Sequence, residues 1–575
     1  MYLATFGNGF VLYDDTTLIT QNWAMQIFSV STVLHVFTSY DPELYDPLTL
    51  FMYQVIHLLF GFQPAAFHAV SLLLHLANAL LIGWITWQLF ERKWITILCV
   101  ALFALHPLQS EAVLWAAALK DVLSSFFFLL SLGLYLLWRR HMHASSYIWS
   151  IICFALGLFA KVSVVPLPFV LLLVDHVQGR RLTRETWIEK WPYFALAFAF
   201  VLIALGGKSG GLAQLGLASL FLLGIKSVAF YLLHLVWPLH FSVVYPQPTA
   251  ITIASPEFWL PLCVFLILIA ISIFMWKRRP LVSISIAFYL LMLVPSFASA
   301  YKNGFVLFAS DRYAYLAVIG AFLLIAFLID RLTARVPRAS IPVGIICIAL
   351  LLALSAQTLI QTNVWKNTAT LFRHADMLYP DSALAQNNLG AAETDTGAAL
   401  ADYRKAIELD PSYLLPYQNI AHIDVSQGNF ADMKAISESG VTMFNRKTVI
   451  GNDDLSFLFS YAEYLDEQGQ SDRALALFKD AVAKAPDSAE AHFNLGLKEE
   501  KYGNTDAALA DYETAASIGS DDPRLYYRLA SLASSKGLLQ EAVNALRQTL
   551  TIDPSYPNAA SHLADIEQLQ RQQSP

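Results

Sequence analysis

The chain changes character near Trp365. Before it, long apolar runs are broken by short charged loops; after it, the sequence is acidic and repeats with a helical period. Residues 365–575 carry 30 acidic and 17 basic side chains, against 14 acidic and 20 basic in the stretch before. A basic, apolar front joined to an acidic, repetitive back predicts an all-α protein in two parts. The first, 1–364, reads as a polytopic transmembrane helical bundle, and the second, 365–575, as a helical-repeat domain. Mean hydropathy of +0.50 with only 14% charged residues excludes an ordinary soluble globule.

A hydrocarbon core of ~30 Å takes ~20 apolar residues to cross. Spans are expected near 66–90, 93–107, 121–138, 146–160, 162–177, 191–207, 257–276, 281–297, 313–330 and 341–361. All four cysteines fall in these runs and read as small apolar packing residues, neither disulfides nor metal ligands. The basic turns Glu91-Arg92-Lys93, Arg139-Arg140, Arg180-Arg181, Lys277-Arg278-Arg279 and Arg331–Arg338 belong on the cytoplasmic side. Alternation then puts outside the loop 1–65, the His106–Lys120 loop, 208–256, 298–312 and the repeats. Residues 219–237 are apolar enough to span, but a single crossing there breaks this parity, and Lys226 lies at their centre. A charge at mid-bilayer costs ~2.5–3.5 kcal/mol even on the lenient scale, so a re-entrant or interfacial helix on the outer face is expected. No cleavable signal peptide is visible.

In the second half Pro486, Ser520 and Pro554 recur at intervals of 34 residues. Residues 487–520 show the unit: Asn494-Leu495-Gly496 and Tyr502-Gly503 in and after a first helix, Ala507-Ala508-Leu509, Tyr512 and Ala515 in a second. Small residues at these positions let paired helices approach closely, and stacking buries the remaining apolar face. The pattern resembles tetratricopeptide repeats (TPRs). Further copies are expected at 383–412, 413–446 and 455–488, with a capping helix at 557–575. The concave face of such a solenoid would take an extended acceptor protein or peptide.

The chemistry concentrates in the outer loops. The first carries Asp14-Asp15 between apolar residues, ahead of an amphipathic stretch at 48–62. A carboxylate there can take the proton of an attacking hydroxyl; on sequence chemistry alone, a pair of solvated loop acids is the better reading. Four other segments sit at outer span ends: His106-Pro107 with Glu111, Trp115 and Lys120-Asp121; Lys161 to Pro166, ending in Asp175; Trp237-Pro238 with Tyr245-Pro246-Gln247-Pro248; and Ser310-Asp311-Arg312-Tyr313. Each alone reads as a cap or a snorkelling anchor. Together they put acids and bases at one interface, as phosphate-lipid chemistry requires.

In this order the segments, including "HPLQSEAVLWAAALKDVLS", "KVSVVPLPFVLLLVD", "YPQP" and "SDRYAYL", resemble the transmembrane and tetratricopeptide-repeat O-mannosyltransferases and their bacterial relatives. The resemblance covers nearly the whole chain. It implies a GT-C glycosyltransferase fold, a polyprenyl-phosphate hexose as lipid donor, and transfer, most simply of mannose, to a hydroxyl on the extracytoplasmic face. It assigns catalysis to Asp14 with Asp15 as neighbour, and the donor phosphate to Arg312, with Lys120 and Lys161 as secondary cations. His106, Glu111, Asp121, Tyr245, Asp311 and Tyr313 take supporting places. A guanidinium suits a phosphate that gains charge as the sugar leaves. One base and no second nucleophilic carboxylate fits single displacement with inversion. The family's pattern has a span before the acidic pair, and Met1–Phe10 is too short for one, so an upstream start is expected.

Other readings remain open at this stage: a non-catalytic membrane-anchored TPR scaffold for envelope assembly, a lipid-linked oligosaccharide ligase, or a transporter. A transporter would place charges near the midplane, whereas most charges here sit at span ends. No N-x-S/T sequon occurs, which favours a bacterial or archaeal plasma membrane. No cofactor, required metal or nucleic-acid partner is expected.

Overall fold

The computed structural model describes residues 1–40, 45–181, 183–207, 209–247, 250–302, 304–520, 522–554 and 556–573. The chain forms two compact units, Met1–Phe28 with Val36–Ala392, and Ser29–His35 with Glu393–Pro575. The compact division therefore falls after Ala392, past the change of composition at Trp365. The helices Thr368–Leu378 and Ala383–Ala392 pack within the first unit.

The first unit is a helical bundle, relieved among the described residues by one two-residue hairpin in which Tyr301 opposes Val306. Among the described residues, six of its helices are long and apolar enough to cross a membrane: Pro64–Phe90, Ala116–His141, Leu215–Val236, Pro256–Met275, Pro280–Ser299 and Pro337–Val364. The bent pair Lys93–Leu105 and Pro107–Leu114 adds a seventh if it counts as one span. The ten spans expected from hydropathy are thus reduced. Ala144–Ala160, Val162–Val177 and Trp191–Gly207 are apolar but shorter, and Val318–Arg335 ends in Asp330, Arg331 and Arg335. Outward faces are apolar, as a lipid solvent demands, with Leu73, Leu80, Leu266, Ile345 and Leu352 all exposed.

The 219–237 segment lies in a helix that passes the length and composition test from Leu215 to Val236, after a kink at Gly216. Lys226 is not left bare within it. Its ammonium lies 2.6 Å from both Glu257 and Gln247 and over the Phe308 ring, so its charge is met by residues before the next helix and by the 298–312 loop.

The second unit stacks antiparallel helix pairs: Leu415–Gln427 with Phe430–Arg446, Asn452–Glu467 with Ser471–Lys484, Ala489–Lys501 with Thr505–Ile518, and Pro523–Ser535 with Leu539–Ile552. Thr396–Leu409 precedes them, and Ala559–Gln573 closes the series as the expected terminal helix. Each turn needs a left-handed residue. Gly503 supplies it at φ 83°, and Gly469 and Gly537, 34 residues to either side, do the same. Buried Phe493, Tyr512, Leu525, Ala530, Ala542 and Leu546 form a core across the later repeats, and Tyr417, Phe444, Leu458, Phe478 and Leu495 form another across the earlier ones.

Gly496 makes that stacking possible: a Cβ there would lie 2.6 Å from Tyr512 Cε1, closer than two carbons can approach. Gly496→Val should therefore cost about 1–3 kcal/mol by overpacking. Thermal unfolding followed by circular dichroism should show a lowered midpoint; an unchanged midpoint would mean that Tyr512 can swing away.

Candidate functional site

The site is built on a broken helix. Pro107 lacks an N–H and disfavours helix in the residue before it. The helix Lys93–Leu105 accordingly stops, His106 is extended at φ −75°, ψ 128°, and the chain restarts bent by 55°. His106 Nδ1 accepts from the Leu108 amide at 3.2 Å, which leaves Nε2–H to donate to the Leu235 carbonyl at 3.1 Å. Its ring is thus a cap and a strut, directed away from the other candidates. A second break at Trp115 precedes the tight turn Ala116–Ala118 and the helix Leu119–His141. Every residue from His106 to Ser125 is buried.

A broken helix in such surroundings frees amides that water cannot reach. Asp15 meets this need. One carboxylate oxygen accepts from the Ala117 amide at 2.8 Å, the other from the Val11 amide at 2.9 Å. Asp15 therefore ties the first loop to the break. Burial, the largest effect, pushes its carboxyl up from the ordinary range to about 7, against the two amides, which pull it down. Asp14, half-buried beside it, contributes to the negative field around Arg312.

Arg312 is the centre of the charged cluster. Its guanidinium donates to Glu111 and to Ser310 Oγ, while its backbone amide donates to the second Glu111 oxygen at 3.2 Å. The guanidinium carbon lies 4.8 Å from both the Trp115 and Tyr313 ring centres. Burial works against the charge, but Tyr313, Glu111, Asp121 and Asp14 together hold the guanidinium firmly protonated. Tyr313 also lies under Lys161, whose ammonium is 5.4 Å from the ring centre and 2.5 Å from Asp121 Oδ1. Burial lowers the Lys161 pKa, Asp121 raises it, and Arg312 and Lys120 lower it further, so three cations share one field. Lys120 reaches Asp46 at 3.6 Å.

Tyr245 and Asp311 form a neighbouring arm: the Tyr245 hydroxyl donates to Asp311 at 2.8 Å, and His234 approaches the other oxygen at 3.7 Å. Burial raises the Asp311 carboxyl against those partners. Between this arm and Glu111 lies a cavity of about 10 Å³, the size of one water molecule, lined by Pro107, Ser110, Ser242 and Trp365. Pro248, the last residue of the Tyr-Pro-Gln-Pro motif, lies outside the described residues. Among the described residues no three His, Cys, Asp or Glu side chains gather as a metal ion would need.

The fold thus brings together Asp14, Asp15, Glu111, Lys120, Asp121, Lys161, Arg312 and Tyr313, flanks them with Tyr245 and Asp311, and turns His106 aside. Sequence reasoning missed Asp46, His234 and Tyr315. Asp46 immediately precedes Pro47 at the start of a helix, where an acid reads as a cap. His234 is a single polar residue in an apolar run, with nothing nearby in sequence to signal Asp311.

Two outcomes follow. A carboxyl whose pKa is raised by folding does not weigh against the fold while it is protonated in both states, and counts against it once the unfolded chain can ionise while folded Asp15 keeps its proton. Stability should therefore fall as pH rises from about 4 to 7, by on the order of 4 kcal/mol, and level off above. Asp15→Asn should flatten that slope in thermal unfolding across pH; an unaltered slope would assign it to other groups. In addition, Arg312→Ala should cost about 3–5 kcal/mol by stranding Glu111, and Glu111→Ala in the same chain should restore part of the loss. Additive losses in that cycle would show the pair to be uncoupled.

The repeats match the family model described as tetratricopeptide repeat over residues 462–523, and a second such model over 523–556. Protein O-mannosyl-transferase Tmtc2 of Drosophila melanogaster is 27% identical over 233 residues, 36% of this chain and 24% of that protein. Protein O-mannosyl-transferase F38B6.6 of Caenorhabditis elegans is 24% identical over 440 residues, 72% of this chain and 61% of that protein. The chain thus spans less than two thirds of the length of these relatives. Among solved structures, the TPR protein YrrB is 21% identical, with a TM-score of 0.25 over 34% of this chain and 97% of its own. With helices long and apolar enough to cross a membrane in front and tetratricopeptide repeats behind, the chain is a relative of proteins named protein O-mannosyl-transferase.

Proposed function

We propose that the chain is a membrane glycosyltransferase that moves a hexose, mannose first among the choices, from a polyprenyl-phosphate donor to a hydroxyl acceptor on the extracytoplasmic face. The observation that carries this reading is the meeting of Arg312 and Lys161 at the Tyr313 ring, within a field that Lys120 and Asp14 share, Asp14 standing on the loop that Asp15 ties down. The relatives named protein O-mannosyl-transferases support the reaction class.

In this mechanism the acceptor oxygen attacks the anomeric carbon of the sugar from the side opposite the phosphate. The new C–O bond forms as the bond to the phosphate oxygen breaks, and the polyprenyl phosphate leaves with the electron pair. Asp14 takes the hydroxyl proton. Arg312 offers its planar fork to the phosphate as charge builds there, with Lys161 and Lys120 adding to the field in a site of low dielectric. Asp15, with both oxygens held by amides, keeps the loop in place. A serine or threonine of a protein or peptide is the acceptor, and the repeats bring it to the membrane surface.

The test is sugar transfer by purified protein in nanodiscs, from polyprenyl-phosphate mannose to Ser/Thr-rich peptides. Asp14→Asn should lower the rate at least about 10²-fold while the unfolding midpoint stays put. Arg312→Lys, which keeps the charge but loses the fork, should chiefly raise the KM for donor. Transfer that survives Asp14→Asn would remove it as the base. Absence of transfer from any lipid-phosphate sugar would favour the scaffold reading.

A further inference from the structure

Helix Pro64–Phe90 carries His68, Ser71, His75 and Asn78 at helical spacing on one buried face. Polar side chains within a spanning helix are costly in hydrocarbon and persist where they have a task. Two of these meet Tyr315, three residues beyond Arg312. Asn78 Nδ2 donates to the Tyr315 hydroxyl at 3.0 Å and to the Val122 carbonyl at 3.0 Å. The hydroxyl is also in hydrogen-bond contact with His75 Nδ1 at 2.9 Å. From the broken-helix segment, Gln109 Nε2 donates to the Tyr315 carbonyl at 3.3 Å. Phe103 stacks on the His75 ring and meets Tyr315 edge-on, so both rings are held in rotation as well as in distance. His75, Asn78 and Gln109 are fully buried, and Tyr315 is 2% exposed.

The link to Arg312 is direct. The Tyr315 amide donates to the Arg312 carbonyl at 3.2 Å, closing the tight turn Asp311–Ala314. A clamp on the Tyr315 ring therefore sets the turn from which the guanidinium projects. On the other flank the Tyr231 hydroxyl donates to the Ser310 carbonyl at 2.8 Å and faces the Ser310 amide at 3.1 Å. We propose that His75 and Asn78 are positioning residues: through the Tyr315 hydroxyl they hold the Asp311–Ala314 turn so that Arg312 meets a lipid phosphate. This rests on the donor-phosphate role assigned to Arg312 above.

The test titrates polyprenyl phosphate into the full chain in nanodiscs and measures Kd calorimetrically, beside steady-state transfer kinetics. The variants are Tyr315→Phe, Asn78→Ser and their combination, with Arg312→Lys as the reference for a weakened phosphate contact. The control is Tyr289→Phe, which removes a buried hydroxyl bonded to the Val228 carbonyl at 2.6 Å, outside the clamp. Expected are a Kd and a donor KM raised roughly tenfold in Tyr315→Phe and in Asn78→Ser. The combination should be little worse than either alone, because both remove one device. The KM for acceptor should stay within about twofold of wild type on this account. Unchanged donor Kd in Tyr315→Phe, with Arg312→Lys weakened, would overturn the positioning role and leave the phosphate role standing. Equal weakening in Tyr289→Phe would also overturn it, by showing a general loss of packing. If Arg312→Lys binds polyprenyl phosphate as wild type does, the phosphate role of Arg312 fails, and the positioning role with it. Asn78→Ser supplies the same comparison should Tyr315→Phe fail to fold.

Discussion

The first unit depends on the pairing of Glu111 with Arg312. Each charge alone would be expensive in a bundle walled by hydrocarbon, and each is admitted because the other is there. The pair joins the broken-helix segment to a turn some two hundred residues later, so the inner chemistry and the tertiary fold share one contact. Other elements attach to the two residues: Ser310 to the carboxylate, Trp115 and Tyr313 to the guanidinium, and Lys161 to the far side of the same field. Replacing the pair with apolar side chains could leave a bundle of similar stability. It would remove the guanidinium that Trp115 and Tyr313 enclose.

The break between Leu105 and Leu119 explains why carboxylates cluster at this face at all. Interrupted helix exposes amides, buried amides need acceptors, and a carboxylate satisfies two at once, as Asp15 does for Ala117 and Val11. A structural demand thus brings acid to the place where a proton acceptor is useful. The neighbouring Asp14 then sits on a loop whose position is set by a different residue, which separates holding from chemistry.

Much of this was legible in the sequence, and for stated reasons. The 34-residue interval, Gly496 and Tyr502-Gly503 encode a helix pair because backbone handedness and close approach leave few alternatives. His106-Pro107 marks the end of the 93–107 span in the sequence, whereas the bent continuation after it came only with the fold. Arg312 and Lys161 stood out because charges are scarce in an apolar chain. Less legible were the lengths of spans: apolar composition alone cannot tell a crossing helix from the shorter Ala144–Ala160 or Trp191–Gly207. Partners were hidden where contact joins distant segments. Nothing near Lys120 points to Asp46, and Tyr315 looks like one more aromatic in an apolar run until His75 and Asn78 are found against it. Lys226 shows the same limit from the other side, since its charge is answered by Glu257 and Gln247, which hydropathy cannot pair.

The continuous burial of His106 to Ser125 reaches beyond the charged residues it contains. Within that stretch Ala112, Ala116, Ala117 and Ala118 are almost wholly enclosed, so there is no room for even modest enlargement. The neighbouring carboxylates and cations leave no freedom of charge. Two independent restrictions, volume and electrostatics, therefore overlap on the same twenty positions. Substitution is easiest on the lipid-facing surfaces and on the exposed faces of the repeats, where a new side chain meets only acyl chains or solvent. Divergence of partner choice can then proceed in the repeats while the segment around the break stays nearly still.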